Sequence, residues 1–228
     1  MIYLHENDVL LFQGDSITEG GRHHNDWDMN HIFGHGYQCL VGSKIAYDSI
    51  ENHPKIINSA VIGDTVSRML ARWETDTLAH KPTVLSILIG ENDSDYCQQT
   101  KVGPTPEMYN REYRFLLDYT KEVLPDVKLI IGEPFTFMSP KAIEGDAEEI
   151  KRCEERIAIC TENAKYAKQI AKDYDAVFVP YWDIIKEQFD KSPVGSIVWD
   201  GIHPTVVTHY IMAKQWYKTV DESGILSK

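Results

Sequence analysis

The chain reads as a three-layer α/β/α domain built on a five-stranded parallel sheet. Three observations predict this. Five short apolar runs alternate with longer segments whose apolar residues recur at helical spacing. The runs are nearly continuous in apolar residues, as strands covered on both faces are. Each run closes on or near glycine or proline, where the chain can turn.

In order, residues 9–12 (Val-Leu-Leu-Phe) predict a strand ending at Gly14, and residues 37–48 a helix. Residues 55–58 predict a second strand, ending near Gly63, and residues 65–79 a helix. Residues 84–89 (Val-Leu-Ser-Ile-Leu-Ile) are the strongest strand, closed by Gly90. A helix over 106–123 follows Pro104 and Pro106, and a strand over 127–131 is closed by Gly132 and Pro134. From Asp146 to Tyr174, Ile150, Cys153, Ile157, Cys160, Ala164, Ala167, Ala171 and Tyr174 repeat at spacings of three and four. They predict one core-facing stripe, with charged residues covering the rest of the helix. A strand over 176–179 ends at Pro180, and a last helix runs from Pro204 to about Val220. The richest irregular stretches, 18–36 and 133–145, both follow strand ends, where open α/β sheets place their sites.

Composition excludes more than it names. The 228 residues carry a formal charge of −12, against the basic face that nucleic acid or an anionic membrane requires. A hydrophobic fraction of 43% with 25% charged residues is ordinary for a folded domain. Cys39, Cys97, Cys153 and Cys160 form no C-x-x-C pair, and Cys153 and Cys160, seven apart on one helical face, read as core residues. No basic segment followed by an apolar stretch opens the chain, and no apolar run is long enough to span a bilayer, so a cytoplasmic protein is expected.

Four strand-end motifs carry chemistry. Gly14-Asp15-Ser16 follows the first strand, and a sharp turn at Gly14 would expose Ser16 at the sheet edge. Gly63 follows the second strand and could bring a backbone N–H to a ligand. Asn92, in Gly90-Glu91-Asn92-Asp93, could aim an amide donor into the same crevice. Asp200-Gly201-Ile202-His203-Pro204 precedes the last helix, and the i, i+3 spacing lets the Asp200 carboxylate reach the His203 ring. A turn or helix cap would account for each motif alone. Together they hold a nucleophile, a base, an orienting acid and several hydrogen-bond donors, the inventory of acyl transfer through serine.

These residues carry a resemblance. The chain resembles the SGNH hydrolases, the GDSL-type lipases and esterases, whose four blocks stand here in order: Gly14-Asp15-Ser16-Ile17, Gly63, Gly90-Glu91-Asn92-Asp93 and Asp200-Gly-Ile-His203. Ile17 replaces the usual leucine, and Ser59-Ala60-Val61-Ile62 precedes Gly63 where relatives often have further glycine. The resemblance spans residues 9–217. It implies a flavodoxin-like sheet, a single domain over 1–228 and a carboxylic ester hydrolase that needs no cofactor or metal. It also implies Ser16 as nucleophile, His203 as base, Asp200 as the acid that orients it, and an oxyanion hole of Ser16, Gly63 and Asn92. No G-x-S-x-G elbow is present, which argues against the α/β-hydrolase fold.

The expected substrate is a short acyl ester, an O-acetyl group on a carbohydrate. A lysophospholipase or thioesterase acting on longer chains is the alternative. Arg22, Trp27, Phe135 and Trp199 are expected to wall the substrate, with Asp15 and Glu91 beside the motif residues completing the set. His23, His24, His31 and His35, beside Asp26 and Asp28, lack a fixed metal-ligand pattern and are expected to form loop rather than a metal site. A metal-dependent phosphoesterase would need a D-x-H pair, which the chain lacks. A non-catalytic binding module on the same scaffold is disfavoured by the complete residue set. Asn92-Asp93-Ser94 is also a glycosylation sequon, read as chance.

Overall fold

A computed structural model describes residues 2–24 and 31–227. Strands β1 (Val9–Gly14), β2 (Lys55–Asn58), β3 (Val84–Leu88), β4 (Lys128–Gly132) and β5 (Val177–Val179) form one parallel sheet in the order β2-β1-β3-β4-β5. This is the flavodoxin-like order. The chain leaves β1 toward β2 on one side and returns to β3 on the other, which opens a crevice beyond the carboxyl ends of β1 and β3.

The helices are α1 (Ser16–Glu19), α2 (Tyr37–Asp48), α3 (Val66–Ala71), α4 (Trp73–Asp76), α5 (Glu91–Thr100) and α6 (Pro106–Val123), then α7 (Pro140–Ile143), α8 (Ala147–Asp173), α9 (Trp182–Lys186), α10 (Val194–Ile197) and α11 (Val206–Ser223). Strand pleating sends alternate side chains to opposite faces. Leu10 and Phe12 of β1 join Val41, Met212 and Trp216 in a core under α2 and α11, whereas Leu11 joins Met69, Leu116 and Ile170 under α3, α6 and α8. Local chemistry sets the helix starts. Thr105 accepts the Met108 N–H ahead of Pro106 at the first position of α6, and Asp146 accepts the Glu148 and Glu149 N–H groups to open α8.

Besides the short helices α7, α9 and α10, three segments differ from the sequence expectation. The helix expected over 65–79 breaks into α3, α4 and a 3₁₀ turn at Leu78–His80. At the break, the Arg72 side chain turns inward to bond Asp64, the Ser59 carbonyl and Gln13. Helix α5 was not anticipated, because its buried residues are Glu91, Asp93 and Ser94 and it lacks an apolar stripe. On α8, Ile150, Ile157 and Tyr174 are half-buried, while Arg156 and Asn163, expected outside, are fully buried among Cys153, Cys160 and Ala167. They face polar groups of α5 rather than solvent. Among the described residues, no helix is long and apolar enough to cross a membrane.

Candidate active site

The turn after β1 needs glycine at position 14. Its φ is +153°, and a Cβ there would lie 2.3 Å from the Leu88 carbonyl oxygen of the neighbouring strand. The chain then enters α1 with Asp15 as its cap, the carboxylate accepting the Ile17 N–H at 3.0 Å. Ser16 takes the first helical position, where a backbone N–H has no acceptor within the helix. Its side chain is half-buried.

The turn before α11 comes up beside it. Ser16 Oγ lies 2.8 Å from His203 Nε2, and His203 Nδ1 lies 2.7 Å from Asp200 Oδ2. The other Asp200 oxygen accepts the Ile202 and His203 N–H groups at 2.9 and 2.8 Å, so the carboxylate is held by the turn it orients. Gly201 makes the turn possible: at φ +89° its missing Cβ leaves room for the Phe137 carbonyl, 2.7 Å from where that atom would stand. The Phe137 N–H in turn donates to the Gly201 carbonyl at 2.7 Å.

The electrostatics follow from these contacts. Burial pulls the His203 pKa down, but the hydrogen bond and charge of Asp200, helped by Asp15, outweigh it and leave His203 above its ordinary value. Burial raises Asp200, and the bonds from His203 and the two N–H groups more than reverse that, leaving it below the usual carboxylate range. Asp15 is pushed up to about 6, chiefly by burial.

The second wall comes from the ends of β2 and β3. Gly63 precedes α3, and its carbonyl accepts Arg68 Nη1 at 3.0 Å. Asn92 lies in the first turn of α5. Its Nδ2 is buried and has no hydrogen-bond partner among the described residues, a costly state for an amide donor unless a ligand or water meets it. Asp93 ties the two loops together by accepting the Val66 N–H at 3.2 Å, and burial pushes its own pKa up to about 8.

The remaining expected site residues scatter. Trp199 is 61% exposed and lies stacked against the His203 ring, centroids 5.7 Å apart at 21°. Arg22 donates to the Ala60 carbonyl at 3.0 Å and lines a cleft of about 460 Å³ with Phe33, Asn58 and His80 along the β2 edge. Phe135 departs from its expected place in the wall. It is 0% exposed and packs on Phe137 and Tyr181 in the core, because the chain after β4 turns inward. Asp15 and Glu91 are likewise buried, at 1% and 3% exposed, one as a helix cap and the other opposite Arg156. Trp27, Asp26 and Asp28 lie outside the described residues. Among the described residues no group of three His, Cys, Asp or Glu side chains is placed to hold a metal ion.

Sequence reasoning missed Asp93, Arg156 and Asn163 as parts of the site's frame. Asp93 had a usable signal, its place directly after Asn92. The two α8 residues had none, because their partners around the start of α5 lie some sixty or seventy residues away in sequence.

The pattern of the GDSL-like lipase/acylhydrolase family matches residues 12–211. The chain belongs to that family. As a GDSL-family acylhydrolase it is a carboxylic ester hydrolase. Its relatives include an acetylxylan esterase from Geobacillus stearothermophilus, 29% identical over 221 residues that cover 96% of both chains. A solved structure from Parabacteroides merdae, described as GDSL-like, superposes with a TM-score of 0.86 at 33% identity, covering 96% of this chain and 98% of the other. Catalytic variants of the Geobacillus acetylxylan esterase, with a serine, an aspartate or a histidine replaced by alanine, superpose with TM-scores of 0.79, 0.81 and 0.80 at 25, 25 and 26% identity, covering 96% of both chains.

Proposed function

We propose that this GDSL-family esterase removes acetyl groups from a carbohydrate through an acyl-enzyme on Ser16. The observation that carries the reading is the hydrogen-bonded chain from Ser16 Oγ to His203 Nε2 and from His203 Nδ1 to Asp200 Oδ2. His203 Nε2 takes the Ser16 proton as Oγ attacks the ester carbonyl, while Asp200 holds the ring and stabilises the imidazolium. The negative charge on the tetrahedral oxygen meets the N–H groups of Ser16 and Gly63 and the Asn92 amide. Collapse breaks the bond to the alcohol oxygen, which takes the proton from His203, and leaves acetyl on Ser16. Water, deprotonated by His203, then attacks the acyl-enzyme. Acetic acid leaves and the proton returns to Ser16.

Two findings support the choice of substrate. A relative spanning nearly the whole chain is an acetylxylan esterase, and variants of that enzyme called catalytic are changed at a serine, an aspartate and a histidine. Trp199 offers a flat exposed ring beside His203, on which the apolar face of a sugar can stack at the leaving-group side. Residues 1–228 act as one domain in this reading, since Ser16 and His203 come from opposite ends of the chain.

The test is a series of aryl esters from acetyl to dodecanoyl, run beside an acetylated xylo-oligosaccharide. We expect kcat/KM to be highest for acetyl and acetate to be released from the sugar. Rates that climb toward octanoyl and dodecanoyl would replace this reading with a lysophospholipase or thioesterase.

A further inference from the structure

Helix α8 carries two polar residues where its apolar stripe should continue. Asn163 is 0% exposed and donates to the Gly90 carbonyl at 3.0 Å and to Ser94 Oγ at 3.1 Å. Arg156, two helical turns earlier on the same face, is also 0% exposed. Its Nε lies 3.8 Å from Glu91 Oε1 and its Nη1 lies 3.8 Å from Asp95 Oδ1. Glu91 and Asp95 lie one helical turn apart on the same face of α5 as Ser94, so α8 holds the start of α5, where Asn92 stands, along that face.

The guanidinium also reaches the other half of the site. Arg156 Nη2 donates to the Phe137 carbonyl at 3.2 Å. The Phe137 N–H and the Thr136 hydroxyl both donate to the Gly201 carbonyl, inside the Asp200–His203 turn. One side chain therefore joins the turn bearing Asn92 to the loop that clasps Asp200 and His203.

We propose that Arg156 is a positioning residue for catalysis, holding the Asn92 amide in register with the Ser16–His203–Asp200 chain. The inference rests on the oxyanion role proposed above for Asn92. Stability alone is a poor account of this arrangement. Among the described residues, Arg156 Nε and Nη1, Glu91 Oε1 and Asp95 Oδ1 are all buried without a hydrogen bond. A buried charge cluster paired this loosely gains little over apolar packing of the same shape. What the planar guanidinium supplies is direction, with separate nitrogens facing α5 and the Phe137 loop.

The experiment compares Arg156→Met, Arg156→Lys, Asn92→Ala and the Asn92→Ala/Arg156→Met double variant on an aryl acetate. Rates are normalised to serine titrated with an active-site reagent, and folding is checked by circular dichroism and thermal melts. Arg156→Met should lose about 10–100-fold in kcat with KM held within about twofold, the mark of reacting groups slightly misplaced. Arg156→Lys keeps the charge but not the fork, and should recover only part of that loss. Because Arg156 acts through Asn92, the double variant should be within about threefold of Asn92→Ala alone. Losses that multiply, a folded Arg156 variant with unchanged kcat beside an impaired Asn92→Ala, or failure of both Arg156 variants to fold would each overturn this inference alone. An unchanged kcat in Asn92→Ala would overturn the oxyanion role and this inference with it.

Discussion

The two walls of the site are prepared in opposite ways. On one, Ser16, His203 and Asp200 are already bonded to each other at 2.7–2.8 Å. On the other, the Asn92 amide nitrogen is buried with no hydrogen-bond partner among the described residues. Groups that act on one another hold their own geometry once folded. In the proposed mechanism the Asn92 amide waits for charge on a substrate oxygen, so its place has to be kept from behind. In that role Asn92 would be backed by the bonds of Asp93 to Val66 and of Asn163 to Gly90 and Ser94, and by the proposed work of Arg156.

Substitutions can break this contrast, starting with the paired wall. Ser16→Ala should lower kcat by about 10⁶-fold, and adding His203→Ala should cost almost nothing more, because the pair acts as one unit. Full esterase activity in a folded Ser16→Ala protein would remove the basis of the mechanism. On the unpaired wall, Asn92→Ala should lower kcat by about 10²–10³ with a small change in KM, as loss of a single oxyanion donor does. A loss confined to KM would make Asn92 a ground-state contact instead.

Smaller effects sharpen the picture at the rim. Trp199→Ala should raise KM for an acetylated sugar by about 3–10-fold, while KM for a small aryl acetate moves little. Equal changes for both substrates would tie Trp199 to His203 rather than to the sugar. The last effect is on pH. His203 must be neutral to accept the serine proton, and its pKa is raised, so kcat/KM should rise with pH through a midpoint above the ordinary histidine value. Asp15 contributes to that elevation. Asp15→Asn, which can still cap α1, should move the midpoint to lower pH. A midpoint that stays fixed would show that Asp200 alone sets the base.

Most of the scaffold was legible in the chain. The helices over 37–48 and 106–123 and the strand over 55–58 fall where periodicity and turn residues put them. Helix α5 was hidden because apolar spacing is blind to a helix whose buried face is Glu91, Asp93 and Ser94. The break at Arg72 was hidden because its partners come from β1 (Gln13) and from the loop after β2 (Ser59 and Asp64).

The same division runs through the site. Glycines that permit tight turns, a serine at a helix start and an aspartate three residues before a histidine are local features, and each left its mark in the linear order of residues. Their chemistry depends on contacts a few residues long, on strand ends that any parallel sheet brings to one edge and, for His203, on the turn before α11 that meets Ser16. Which buried groups support them is a matter of contacts between distant segments. Phe135 reads like a wall residue and is core, and Arg156 reads like a solvated charge and is buried opposite Glu91. Burial of an aromatic ring or a guanidinium depends on what packs across from it, and no residue's neighbours in sequence supply that.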